Sequence, residues 1–263
     1  MRAGIRRAAV MLFLGGISLM AAEVKYPITV SLGGPESLYT PVMLQLLSKW
    51  PSNTIDPSKV PADKVGIRCY STEGREFFIG IEQAVMINAA LTRVTGVLDD
   101  VGKYVELFPE FADIHVVSTD GNRMTIFWEH RISFPFVPNT KYETNYVVDK
   151  TRSDRAVYRY KLKEKTGDMN TADGMIVVEK NGPTSTKYTE LDFWDGEYGI
   201  AKTLAPKKIW KDSVEETYLS DVAIKLRAEH PDWKSDKLIE EAKKTLDEKD
   251  IETCLTNRKT YPL

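Results

Sequence analysis

The chain has 263 residues, 36 of them basic and 38 acidic, for a formal net charge of −2. That length accommodates one large domain with a sizeable core, or one domain plus an extension. The slight acidic excess excludes a broad nucleic-acid surface, which needs concentrated positive charge to release counterions.

The first residues have the layout of an export signal. Arg2, Arg6 and Arg7 precede the apolar stretch Ala8 to Met20, and Ala21 and Ala22 offer small residues for cleavage, so residues 1–22 are expected to be a signal peptide and the mature chain to begin near Glu23. The apolar stretch is too short to span a bilayer comfortably, and no later segment is long and apolar enough. No cysteine marks a lipid attachment at the boundary. The expected destination is the periplasm or the outside of the cell. Removing the signal takes three basic residues and no acidic one, leaving a more acidic mature chain.

Residues 23–75 read as an N-terminal extension. Pro, Gly and Ser dominate 27–66, apart from a helical island from Pro41 to Trp50 that carries Val42, Leu44, Leu46 and Leu47. From Glu76 a strand runs through Phe77, Ile79, Ile81, Gln83, Val85 and Ile87. Asn88 then caps a helix with Leu91, Val94, Val97, Leu98 and Val101 at helical spacing, and Pro109 ends the helical stretch.

A strand near Ile114 to Val117 turns back at Asp120-Gly121-Asn122, a good hairpin signal. The strand that follows, Met124, Ile126, Trp128, His130, Ile132, Phe134, alternates with Arg123, Thr125, Glu129, Arg131 and Ser133. A period of two gives one wet face and one buried face. The same pattern recurs in Tyr142, Thr144, Tyr146, Val148 and in Ala156, Tyr158, Tyr160, Leu162, and further strands are expected at 172–180 and 186–194. After Pro206 a long helix places Trp210, Val214, Tyr218, Val222 and Leu226 at every fourth position, one apolar stripe. A last charged helix near Ser235 to Lys249 has only Leu238, Ile239, Ala242 and Leu246 to bury, and is expected to pack on the outside.

A strand, short helices, six strands and a long helix make an α+β helix-grip arrangement: a curved antiparallel sheet wraps the long C-terminal helix and leaves a hydrophobic cavity between them. The segment Ile87-Asn88-Ala89, Val94, Val97-Leu98-Asp99-Asp100, Tyr104 and Leu107-Phe108-Pro109 resembles the strand-to-helix entry of the START-like (SRPBCC) superfamily, which groups polyketide cyclases, coenzyme Q-binding proteins and lipid-transfer domains. The resemblance covers about residues 76–230, leaving 231–263 as a C-terminal helical tail. It implies a cavity for a hydrophobic ligand.

Chemistry-bearing motifs are few. There is no Gly-x-Ser-x-Gly elbow, P-loop or dinucleotide fingerprint. His115, His130 and His230 show no metal spacing and the two cysteines lie far apart, so no metal, cofactor or catalytic residue is assigned. Asp192, Asp195 and Glu197 around Gly196 read as a solvated turn, their spacing unlike an EF-hand loop. Lys202, Lys207, Lys208 and Lys211 crowd the start of the long helix, either as a solvated cluster or to meet an anionic head group. Cys69 and Cys254 either pair, closing a 185-residue loop in a compartment that permits it, or remain thiols.

Trp128, His130, Tyr146, Tyr158 and Tyr160 from the sheet, with Val214, Tyr218 and Val222 from the helix, form the candidate ligand-contacting set. The aromatic groups either clasp an elongated apolar molecule or fill the space themselves. His130 is either a satisfied core imidazole or a ligand contact. The expected function is an exported protein that binds or carries a lipid or isoprenoid-like molecule, with no nucleic-acid partner and with transient membrane contact. The alternatives are a polyketide-cyclase-type enzyme using the same cavity, and an envelope interaction protein with a filled one.

Overall fold

Alternation of period two produces a nine-stranded sheet in the computed structural model, which describes residues 54–132, 137–163, 168–196, 203 and 205–261. The signal peptide, the island at 41–50, Phe134, Glu197 and Lys202 lie outside the described residues. The strands are β1 (Gly66–Thr72), β2 (Arg75–Ile87), β3 (Phe111–Asp120), β4 (Arg123–His130), β5 (Thr140–Arg152), β6 (Arg155–Leu162), β7 (Met169–Lys180), β8 (Thr186–Gly196) and β9 (Lys259–Tyr261). Their order is β3-β4-β5-β6-β7-β8-β2-β1-β9, curved and unclosed. All neighbours are antiparallel except β1 and β9.

The hairpin at Gly121 forms as expected, with φ of 58° in the left-handed region that glycine tolerates. β4 ends at His130, short of Ile132. Pro135 and Pro138 follow in the sequence, and proline cannot donate to a sheet ladder. Asp192 and Asp195 stand inside β8 and are buried, so the solvated turn expected there at a strand end is the last part of the strand itself. On β7 and β8 the alternation of wet and dry fails. Leu191 and Phe193 are buried on the outer face, with Phe193 5.5 Å from Phe78, centroid to centroid.

Among the described residues, the α-helices that accompany the sheet are α1 (Leu91–Asp99), α2 (Tyr104–Leu107), α3 (Pro206–Glu229), α4 (Ser235–Thr245) and α5 (Glu248–Thr256). Asn88 does not cap α1. Ala90 occupies that position, and the Asn88 N–H donates to Glu229 Oε1 at 2.7 Å, tying the strand end to the end of α3. Pro at the first position starts α3, where its missing N–H costs no helical bond. The single charged helix expected at 235–249 is two, broken at Leu246. Asp247 caps the second through the Lys249 N–H at 3.0 Å.

The tail is not a loose appendage. Leu238, Ala242 and Ile251 are fully or almost fully buried in the main core, and β9 pairs with β1 at Tyr70 and Lys259. Cys69 in β1 and Cys254 in α5 form a buried disulfide. Lys64 Nζ lies 3.0 Å from Asp247 and 3.1 Å from Asp250. β1, drawn within the extension at the sequence level, is therefore an integral strand, and the sheet runs through both boundaries drawn at 75 and 230.

Candidate ligand cavity

Register decides which side chains share the inner face. Trp128 faces Tyr142 across β4 and β5, Tyr146 faces Tyr160 across β5 and β6, Tyr160 faces Gly174, and Gly174 faces Asp192. Gly174 permits this row, because a Cβ there would overlap the Tyr160 ring. Trp128, Tyr142, Tyr146 and Tyr160 form a run of near-parallel rings. Trp128 lies 6.3 Å from Tyr142 and 6.4 Å from Tyr146, and Tyr146 lies 4.9 Å from Tyr160 at 16°.

Between this wall and α3 lies a partly open cavity of about 690 Å³, counting the part that opens to solvent. Its sheet side is completed by Thr144, Ala172, Ile176, Glu190, Asp192 and Trp194, its helix side by Thr217, Ser220 and Ile224, and its end by Leu98, Tyr104, Phe108 and Phe111.

Polar groups around the cavity are placed individually. The Trp128 indole N–H donates to Thr144 Oγ1 at 2.7 Å. The Tyr160 hydroxyl donates to Glu190 Oε1 at 3.2 Å, and the Trp194 indole N–H donates to Asp192 Oδ2. The Tyr188 hydroxyl lies 3.0 Å from Glu190 Oε2 and 2.8 Å from Asp221 Oδ1. One phenolic proton cannot serve two ionised acceptors at once, so an acid proton belongs to this cluster. Asp221 is fully buried, and burial together with the charge of Glu190 holds its carboxyl well above the usual range. Asp192 is raised for the same two reasons. Gln83, opposite Glu190 in the ladder, is buried with neither amide atom hydrogen-bonded. Burial pushes the Tyr146 and Tyr160 phenols up, so both are protonated.

A second polar group lies toward the Phe111 end. His130 is buried, with Nε2 3.0 Å from Glu216 Oε2 and its ring 5.0 Å from Phe111 and 5.8 Å from Trp194. Ser220 Oγ donates to Glu110 Oε1 at 2.8 Å, and burial pushes the Glu110 carboxyl up to about 7.

Of the sequence-level set, Trp128, Tyr146 and Tyr160 line the cavity together. His130 stands beside it rather than in its lining. Tyr158 reaches under α1 instead, its hydroxyl 3.0 Å from Asp99 Oδ1. Val214, Tyr218 and Val222 are buried but are not lining residues, and the Tyr218 hydroxyl donates to Thr245 O at the end of α4. The helix presents Thr217, Ser220 and Ile224 to the cavity while α4 and α5 pack against it from elsewhere. An apolar stripe marks a buried face but does not say which neighbour buries it.

Lys208 and Lys211 pair along α3 with Asp212 and Glu215, and Lys207 is exposed. Glu190 and Asp221 went unnoticed in the sequence. The signal was available in Tyr188, Glu190, Asp192 and Trp194, which share one parity along a strand.

No family model and no curated protein matches the chain. Solved structures do. The fold is similar to human STARD10, at 13% identity and a TM-score of 0.54, covering 88% of this chain and 95% of that one. It is similar to a STAR-related lipid transfer protein from Xanthomonas axonopodis, at 16% identity and a TM-score of 0.53 over 65% and 97% of the two chains. The lipid transfer and protein localization domain of human StarD13 gives 12% identity and 0.51 over 73% and 98%. At these identities the likeness establishes a START-like helix-grip fold.

Proposed function

We propose that this START-like protein is exported and encloses a hydrophobic small molecule, lipid or isoprenoid-like, between the sheet and α3, shielding it from water rather than transforming it. The observation that carries this reading is the cavity: four near-parallel aromatic rings and a helix stand apart around a partly open space of about 690 Å³, its solvent-open part included. Affinity would come from apolar area removed from water, about 25 cal/mol per Å², with the tyrosine hydroxyls fixing orientation. The solved structures whose names denote lipid transfer support the ligand class. Export is supported by the basic, apolar and small-residue order of residues 2–22 and by the Cys69–Cys254 disulfide, a bond characteristic of oxidising compartments.

Native mass spectrometry of protein recovered from its own compartment, followed by lipid extraction, tests the reading. The expected result is a co-purifying apolar molecule that is absent from Ala172→Phe, in which a larger side chain occupies the cavity. An empty protein that also fails to take up any apolar probe would overturn it.

A further inference from the structure

We propose that the cavity selects a cationic amphiphile, an ammonium group on an apolar body, seated with its charge against Glu190 and Asp192 and its body against the aromatic wall. This rests on the reading of the cavity as a ligand site and adds the charge of the ligand to it.

Three observations converge. The first is the charge inventory: the lining holds Glu190 and Asp192 and contains no lysine, arginine or histidine, and Asp221 lies behind them, one tyrosine hydroxyl away. The nearby bases are already engaged. His130 is paired with Glu216, and Lys225 Nζ lies 2.8 Å from Met86 O and 2.6 Å from Glu229 Oε1. The second is the wall itself, because the faces of Trp128, Tyr142, Tyr146 and Tyr160 attract cations through the ring quadrupole. The third is an unmet hydroxyl. Tyr146 lines the cavity and is 7% exposed, yet its hydroxyl makes no hydrogen bond among the described residues.

These features favour one head-group charge over the other. An ammonium placed between Glu190 and Asp192 offsets the Glu190 charge that keeps the Asp192 carboxyl raised, and its N–H groups donate charge-assisted bonds. A carboxylate or phosphate head group meets the charge of Glu190, a raised Asp192 carboxyl and no base.

Dodecylamine, dodecanol and dodecanoate, each below its aggregation concentration at pH 7, separate the possibilities by calorimetry or fluorescent-probe displacement on the full chain. The amine is expected to bind roughly tenfold or more tighter than the alcohol, and dodecanoate more weakly than the alcohol. The amine-to-alcohol ratio should fall toward one in Glu190→Gln and in Asp192→Asn; should either variant fail to fold, the three-ligand ranking in the unmodified protein decides. An amine no tighter than the alcohol, or a dodecanoate that equals the amine, overturns the inference while leaving an apolar cavity. Amine binding that survives Ala172→Phe is binding elsewhere and also overturns it. If none of the three binds, the cavity reading falls and takes the inference with it.

Discussion

Glu110 offers a sharp test of the polar network beside the cavity. Its carboxyl accepts from Ser220, faces Glu216 and His130, and is raised by burial from 4.5 to about 7. Between those two values the folded protein holds a proton that the unfolded chain has released, so stability falls as pH rises through this window, and above about 7 the full loss is in place. The size follows from the shift, roughly 3 kcal/mol at about 1.36 kcal/mol per pH unit. Solvent reaching this half-buried side chain trims it. Glu110→Gln mimics the protonated form and keeps an acceptor for Ser220. Urea midpoints of both proteins at pH 5, 6, 7 and 8 should start close together, with the variant gaining on the parent by about 2 kcal/mol or more at pH 8. Subtracting the curves cancels the other buried acids. A variant less stable by the same amount at every pH would show that Glu110 is ionised throughout, and the assigned burial cost would be refuted.

Other outcomes follow from the same structure. Cys254→Ser opens a 185-residue loop and should cost about 5 kcal/mol on the chain-entropy model; a denaturation midpoint insensitive both to this change and to reductant would contradict it. Gly174→Ala places a methyl in the Tyr160 ring and should destabilise by about 1–3 kcal/mol, with altered near-ultraviolet circular dichroism from the displaced ring; an unchanged spectrum and midpoint would mean that the close approach is not real.

The sheet was largely legible because period-two alternation survives wherever one face stays wet, as in β4 and β5. β1 was hidden by the Pro, Gly and Ser around it and has too few alternations of its own. Half of the cavity wall was also readable, since Trp128, Tyr146 and Tyr160 share the parity of their strands. The helix side was not, because α3 is gripped by the sheet and by the tail helices together, and two burying partners blur a single stripe. Glu190 and Asp221 were overlooked for a different reason. Hydrophobic patterning assigns carboxylates to solvent, whereas the Tyr188 hydroxyl bonded to both shows these two turned inward with tyrosine between them.

The parallel seam of β1 with β9 has a kinetic consequence. Tyr70 and Lys259 are paired across most of the chain, and closing so distant a junction is slow. A late intermediate should therefore persist with that margin ajar and both thiols still reduced, accessible to an alkylating reagent. Oxidation then becomes the event that fastens the rim, and the moment of maturation can be timed by when Cys69 ceases to react.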